Sequence, residues 1–331
     1  MNLFFNASKK FAGADFFAVT PINAGESKSF LVFGTLFDDS LHWIMNFFIK
    51  LLLFVPLACL WFWGFVVEPH LMLDVEYKNI DIKKWDSRLD GLKIAVVGDF
   101  HAGLPFFENW RMEKVVEKTN AVNADIILLV GDYVNGRWFQ SAMESGRLTK
   151  YLSRLKAPLG VYAILGNHDY IYDAGKVRKV LNSAGITLLE NSNAKVSTPK
   201  GDFYVAGIAD PLSADYSYSQ SLNGIAKGSP VLFMAHTPDV FREIPNEIGI
   251  TFSGHTHGGQ VRLPKIGALF TNTFRGDKLV EGLYRDGDKA IYVTRGVGTS
   301  RLPVRSLCTP VISVITITKQ PDAAHAAASE K

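Results

Sequence analysis

Three short apolar runs each end in a glycine followed by a polar residue, and this recurrence constrains the fold more than any other feature of the chain. Residues 92–97 run into Gly98-Asp99, residues 126–130 into Gly131-Asp132, and residues 161–165 into Gly166-Asn167. Apolar runs this short, bounded by turn residues, suit buried strands. The stretches 110–120 and 175–184 between them are helix-like, and residues 71–77 alternate as a half-buried strand. Strands alternating with helices predict an α/β domain with parallel pairing in its first half. The second half, with strands expected at 203–208, 231–235, 250–252, 279–284, 290–294 and 311–318, has few helices between them. Two packed sheets flanked by helices satisfy both halves.

In open α/β sheets, ligands bind beyond the carboxyl ends of the strands, so Asp99, Asp132 and Asn167 are expected to converge. Glycine before each lets the backbone turn sharply and clears space. Around these positions lie Asp99-Phe100-His101, Asn167-His168-Asp169, His236, and His255-Thr256-His257. They hold five of the chain's eight histidines. A lone histidine is more often a packed or surface residue, and His42, His70 and His325 read that way. Five motifs in succession, most of them following an apolar run, point to a metal centre. The two cysteines, Cys59 and Cys308, are far apart and form no metal-ligand pattern. Cys59 reads as a packing residue in an apolar run.

Upstream, residues 43–67 carry a single charge, Lys50, and residues 51–67 carry none. A spanning helix needs roughly 20 such residues; Lys50 can snorkel at one end, and Trp61 and Trp63 suit an aromatic belt at the other. The expected organisation is an N-terminal arm over 1–42 and a transmembrane anchor over 43–67. A linker with the first strand follows over 68–91, then a catalytic domain over 92–318 and a disordered tail over 319–331. A buried core helix and a cleaved signal peptide are the alternatives for the apolar segment. Two starts fit the sequence: Met1, or Met45 with its short basic lead into the apolar run. The basic residues flanking the span lean towards a cytoplasmic catalytic part in a single-pass protein of a bacterial inner membrane. A net charge of +3 gives no ground for a nucleic-acid partner.

The order D-x-H, G-D, G-N-H-D, H, G-H-x-H resembles that of the calcineurin-like metallophosphoesterases. Residues 158–169, 236–240, 254–270 and 295–305 are similar to a membrane-anchored bacterial branch of that superfamily. The resemblance implies an α/β, four-layer αββα sandwich with two metal ions at its edge. Carried over residue by residue, one ion is held by Asp99, His101, Asp132 and His257. The other is held by Asp132, Asn167, His236 and His255, so that Asp132 bridges the two. Such nitrogen and oxygen ligands suit Mn²⁺, Fe²⁺ or Zn²⁺. Paired ions of this kind activate water and neutralise phosphate oxygens. His168 is not needed as a ligand and is the candidate to protonate the leaving oxygen, with Asp169 fixing its orientation. Where purple acid phosphatases place an iron-binding tyrosine, this chain has Asn135, so a redox-locked ferric site is not expected.

The expected activity is hydrolysis of a phosphodiester or pyrophosphate. An amphiphilic substrate such as the UDP-2,3-diacylglucosamine of lipid A biosynthesis would suit an enzyme held at the bilayer. The alternatives are a general membrane-tethered phosphatase or phosphodiesterase and a non-catalytic metal-binding scaffold. Scaffolds of this fold tend to lose the histidine of G-N-H, which is present here as His168. A metallo-β-lactamase-type hydrolase would want H-x-H-x-D-H, whereas Gly258-Gly259 follow His257.

Overall fold

The computed structural model describes residues 29–103, 108–136, 141–273 and 279–321. Residues 1–28 of the expected arm and 322–331 of the expected tail lie outside the described residues. The chain divides into two units, one running to Leu57 and one from Ala58 onward. In the first, the described residues belong to helix α1, Ser29–Phe62, which contains Pro56. Helical winding continues in a π form over Trp63–Leu71. Leu41–Leu71 is long and apolar enough to cross a membrane, by length and composition.

The second unit holds the α/β domain. Its elements are β1 (Asp74–Ile82), β2 (Leu92–Val97), α2 (Glu108–Ala121), β3 (Ile126–Leu129), α3 (Ser145–Leu152), β4 (Val161–Ala163), α4 (Asn167–Ser183) and β5 (Thr187–Leu188). There follow β6 (Ser192–Thr198), β7 (Gly201–Gly207), α5 (Tyr218–Ser221), β8 (Val231–Met234), β9 (Ile250–Ser253) and the small hairpin β10 (Arg262–Leu263) with β11 (Gly267–Ala268). The last are β12 (Gly282–Asp286), β13 (Lys289–Val293) and β14 (Val311–Lys319).

One sheet has the order β1-β14-β2-β3-β4-β5, with β2 to β5 parallel as expected. The other has the order β12-β13-β9-β8-β7-β6, with β13, β9, β8 and β7 parallel. The β-strand period of two explains how one chain fills three cores. In β2, Ile94 and Val96 face the second sheet, where they meet Leu232, Met234, Ile250 and Phe252. Ala95 and Val97 face the other way, onto Val115, Val116, Leu148, Val177 and Leu181 of α2, α3 and α4. The outer face of the second sheet packs Ala206, Phe233 and Ile291 against Tyr218, Leu222, Phe241 and Ile244. Each such buried large side chain contributes about 1.5–3 kcal/mol relative to exposure. The result is the four-layer αββα sandwich, its last layer reduced to α5, a short 3₁₀ turn at Pro238–Val240 and loops.

Several boundaries differ from expectation. The helix runs past 67 to Leu71, and the first strand starts at Asp74 rather than 71. Glu68 looks like the end of an apolar helix, but it is buried and accepts the backbone N–H groups of Leu307 and Cys308, which allows helical winding to continue. The strand expected over 279–284 forms at Gly282–Asp286. Cys59 is exposed rather than packed.

Candidate metal centre

The parallel strands deliver their polar residues to one place. β2, β3 and β4 lead to Asp99, Asp132 and Asn167; β8 leads to His236, and β9 to His255 and His257. Backbone bonds knit these turns together: Asp99 N–H donates to Gly131 O (2.9 Å), His101 N–H to Asp132 O (3.0 Å) and Gly254 N–H to His236 O (3.0 Å). Asp99, His101, Asp132, His255 and His257 all have positive φ, between 47° and 70°. Left-handed backbone is uncommon outside glycine, and it clusters where surrounding structure enforces a functional geometry. Here it turns successive side chains inward from strand ends.

Two groups of donors hold expected ligands only, each with its ligand atoms within 4.8 Å of one another: Asp99, His101 and His257; and Asp132, His236 and His255; a third such group, His101, Asp132 and His168, brings His168 against the same centre. Oδ2 of Asp132 lies between them, 3.5 Å from His101 Nε2 and 3.3 Å from His236 Nε2. Asn167 Oδ1 adjoins the second group, 2.9 Å from His255 Nδ1 and 3.2 Å from His236 Nε2. All seven expected ligand residues are thus brought together, and all are buried.

The donor set fits cations. His101 Nε2 and His257 Nε2 face each other at 2.9 Å. Burial pushes His101 and His255 down to about 3 and His257 well below the usual imidazole range, so these rings are neutral at pH 7 and present lone pairs. Asp99 Oδ2 is fully buried and makes no hydrogen bond among the described residues. A Cβ on Gly254 or Gly296 would stand 2.6–2.7 Å from it, so glycine is what leaves that oxygen room. His236 Nδ1–H donates to Val130 O at 2.7 Å, which fixes its tautomer and turns Nε2 towards Asp132. Burial opposes charge on both members of the Asp132–His236 pair. Their mutual attraction overcomes it, holding the carboxyl well below its ordinary range and the imidazole well above. The positive charge that Asp132 attracts there is what a divalent ion supplies.

His168 and Asp169 separate in role. The His168 ring stands edge-on to His101, with centroids 4.5 Å apart. Its Nδ1 bonds to the Asn135 carbonyl, and its Nε2 is 3.3 Å from Ser300 Oγ. Asp169 does not orient this ring. Its carboxylate accepts four backbone N–H groups instead: Asp132 (2.9 Å), Gly166 (2.9 Å), Tyr133 (2.8 Å) and Val134 (3.3 Å). The physical reason lies in helix geometry: as the third residue of α4, Asp169 folds back onto the N–H groups at the helix start and the neighbouring turn. It therefore shapes the Asp132 turn, and Asn135 and Ser300 hold His168.

Sequence reasoning missed those two residues and also Arg305. That guanidinium is wholly buried and donates to the carbonyls of Gly298 (2.6 Å), Arg295 (2.8 Å), Cys308 (2.9 Å) and His257 (3.4 Å). It braces the 296–298 loop, whose Val297 and Gly298 N–H groups bond to Gly98 O (3.0 Å) and Asp99 O (2.7 Å). An arginine between Val304 and Ser306 in a segment of mixed polarity gives no sign of burial.

The sequence pattern of the calcineurin-like phosphoesterases matches residues 92–259, half of the chain. The chain belongs to this family and is a hydrolase acting on phosphoester bonds. Among its relatives is the phosphodiesterase YaeI of Escherichia coli, 33% identical over 58% of this chain and 70% of that one. Another is a transmembrane protein with a metallophosphoesterase domain from Danio rerio, 31% identical over 72% of this chain; the match spans only 55% of that protein. A third is the UDP-2,3-diacylglucosamine pyrophosphatase LpxG of Chlamydia trachomatis, 27% identical over 72% of this chain and 87% of that one.

Proposed function

We propose that this chain is a membrane-anchored, two-metal phosphodiesterase or pyrophosphatase. One ion is held by Asp99, His101, Asp132 and His257, and the other by Asp132, Asn167, His236 and His255. The observation that carries the reading is the position of Asp132 Oδ2 between His101 Nε2 and His236 Nε2, at 3.5 Å and 3.3 Å. When bound, two such ions activate water for attack and neutralise the charge that builds on phosphate oxygens. The protein's own groups do the rest. The Asn135 carbonyl accepts from His168 Nδ1–H, which turns Nε2 to the Ser300 side, so that the second proton of the imidazolium form sits there and its loss returns the neutral ring. From there Nε2 protonates the departing oxygen.

Residues 43–67, extended to Leu71, form the anchor in a bacterial inner membrane. Residues 92–318 form the catalytic domain, placed on the cytoplasmic side by the flanking basic residues. The substrate is a lipid-linked phosphoester of the kind named for LpxG, UDP-2,3-diacylglucosamine; similarity over 72% of this chain supports that choice. A tethered phosphodiesterase acting on water-soluble esters is the second reading, supported by similarity to YaeI. Purified full-length protein, stripped with chelator and refilled with Mn²⁺, should lose and regain hydrolysis of both ester types. Faster turnover of the lipid-linked pyrophosphate selects the first reading, and faster turnover of soluble diesters the second. Full activity after thorough demetallation would refute both.

A further inference from the structure

Beyond Leu71, more than half of the exposed large apolar side chains among the described residues fall on two adjoining loops. They are Leu263, Ile266, Leu269 and Phe270 on one loop, and Leu302 and Leu307 on the other. Ile266 and Phe270 are 71% and 73% exposed. The loops are joined by backbone bonds from Arg262 N–H to Ser306 O and from Ser306 N–H to Gln260 O, both 2.9 Å. Between them lies a cavity of about 270 Å³ with Val261, Phe270, Leu302 and Val304 in its wall and His257 at its inner side. Exposed apolar side chains gathered beside a cavity that a candidate ligand lines are not explained by hydrolytic chemistry.

The same loops are tied to the end of the apolar helix. Arg305 N–H donates to Gly64 O (2.9 Å), Leu307 N–H to Glu68 Oε2 (3.1 Å) and Cys308 N–H to Glu68 Oε1 (2.6 Å). Glu68 also accepts from Trp63 Nε1 at 3.1 Å. The tie therefore falls among the last turns of the span, where Trp61 and Trp63 suit the headgroup level. Charge agrees. Residues 254–273 and 298–310 contain no acidic residue, and Lys265 and Arg301 are exposed among the apolar side chains. Apolar side chains mixed with basic ones favour a surface of anionic lipid.

We propose that the 263–270 and 302–307 loops are seated in the headgroup region of the bilayer that the anchor enters. The cavity beside His257 then opens onto lipid, and a phosphoester held at headgroup level reaches the metal centre without leaving the membrane. This rests on reading Leu41–Leu71 as a membrane anchor, and the test separates the two.

One cysteine at a time is added to full-length protein carrying Cys59→Ser, with the buried Cys308 left in place and the parent Cys59→Ser protein as the labelling blank: Ile266→Cys and Phe270→Cys on the loop, Leu52→Cys in the anchor, and Lys200→Cys. Lys200 lies in the β6–β7 turn, at the opposite end of β7 from the metal centre. Each is labelled with a polarity-sensitive fluorophore in nanodiscs containing phosphatidylglycerol, with and without lipids brominated near the headgroup. The expected result is blue-shifted emission and bromolipid quenching at 266 and 270, with neither at 200. Loop labels that match Lys200→Cys, while the Leu52→Cys label is shielded in the lipid core, overturn the docking and leave the anchor standing. A Leu52→Cys label in water overturns both.

Discussion

Gly166→Ala isolates the geometry of the proposed bridging carboxylate. Gly166 has φ −110° and ψ 173°, a conformation alanine adopts freely, so the substitution carries no backbone penalty. Its Cβ, however, would stand 2.7 Å from both the Asp132 amide nitrogen and His236 Cε1, and closer still to Asp132 Oδ1. Something must yield by roughly 1 Å, and displacements of that size at a reacting centre cost about 10²-fold in rate. At about 1.4 kcal/mol per tenfold, that is close to 3 kcal/mol of transition-state stabilisation. Global stability should change less, because overpacking of about 1–3 kcal/mol is offset by the roughly 0.4–1 kcal/mol that alanine gains by restricting the unfolded chain. The assay is kcat/KM for a soluble phosphodiester with metal content and Tm measured on the same sample. Gly175→Ala, in the same helix α4 and 3.2 Å from only the Asp173 carboxylate, serves as the control and should retain activity. A Gly166→Ala protein with unchanged turnover and two bound ions would refute the placement of the centre around Asp132 and His236.

Asp132→Asn should lower the content of both ions and abolish turnover, whereas His168→Ala should keep its metal and lose ~10²–10⁴-fold in kcat; metal analysis of the two proteins decides whether the roles are reversed. Asp169→Ala strands four buried N–H groups and should destabilise by about 3 kcal/mol or more, read as a fall in Tm; a stable Asp169→Ala protein that has lost only turnover would return Asp169 to a role in proton transfer. Arg305→Met leaves carbonyls of the 295–308 loop unpartnered in the interior and should cost about 3–5 kcal/mol, with a Tm drop that Arg305→Lys only partly restores, since an ammonium cannot span the fork. Equal Tm values for Arg305→Met and the parent would remove Arg305 as the brace of that loop.

Residue order alone is enough to recognise the class of fold and the family of chemistry. Apolar runs ending in glycine plus aspartate or asparagine reveal strands and their polar termini, because burial and the sharp turn are both local requirements written in consecutive residues. The motifs that carry the seven proposed donors stand in the sequence, the donor set itself being what the family resemblance implies, and their preference for nitrogen and oxygen over thiolate follows from residue type. The candidate span was legible for the same reason, since a bilayer demands a long uninterrupted apolar run. Roles that depend on partners distant in sequence emerge only once the chain is folded. Asp169, three residues into a helix, reads equally as a proton-relay partner or a cap until its four N–H donors are placed around it. Asn135 and Ser300 acquire meaning because loops far apart in the chain meet at His168. By residue type Glu68 closes the apolar run, yet it is buried because residues 307 and 308, some 240 positions later, supply its hydrogen bonds. Positive φ at five of the candidate ligands is only weakly written in residue type: aspartate and histidine adopt that region more readily than most side chains, and the surrounding packing selects which of them do so.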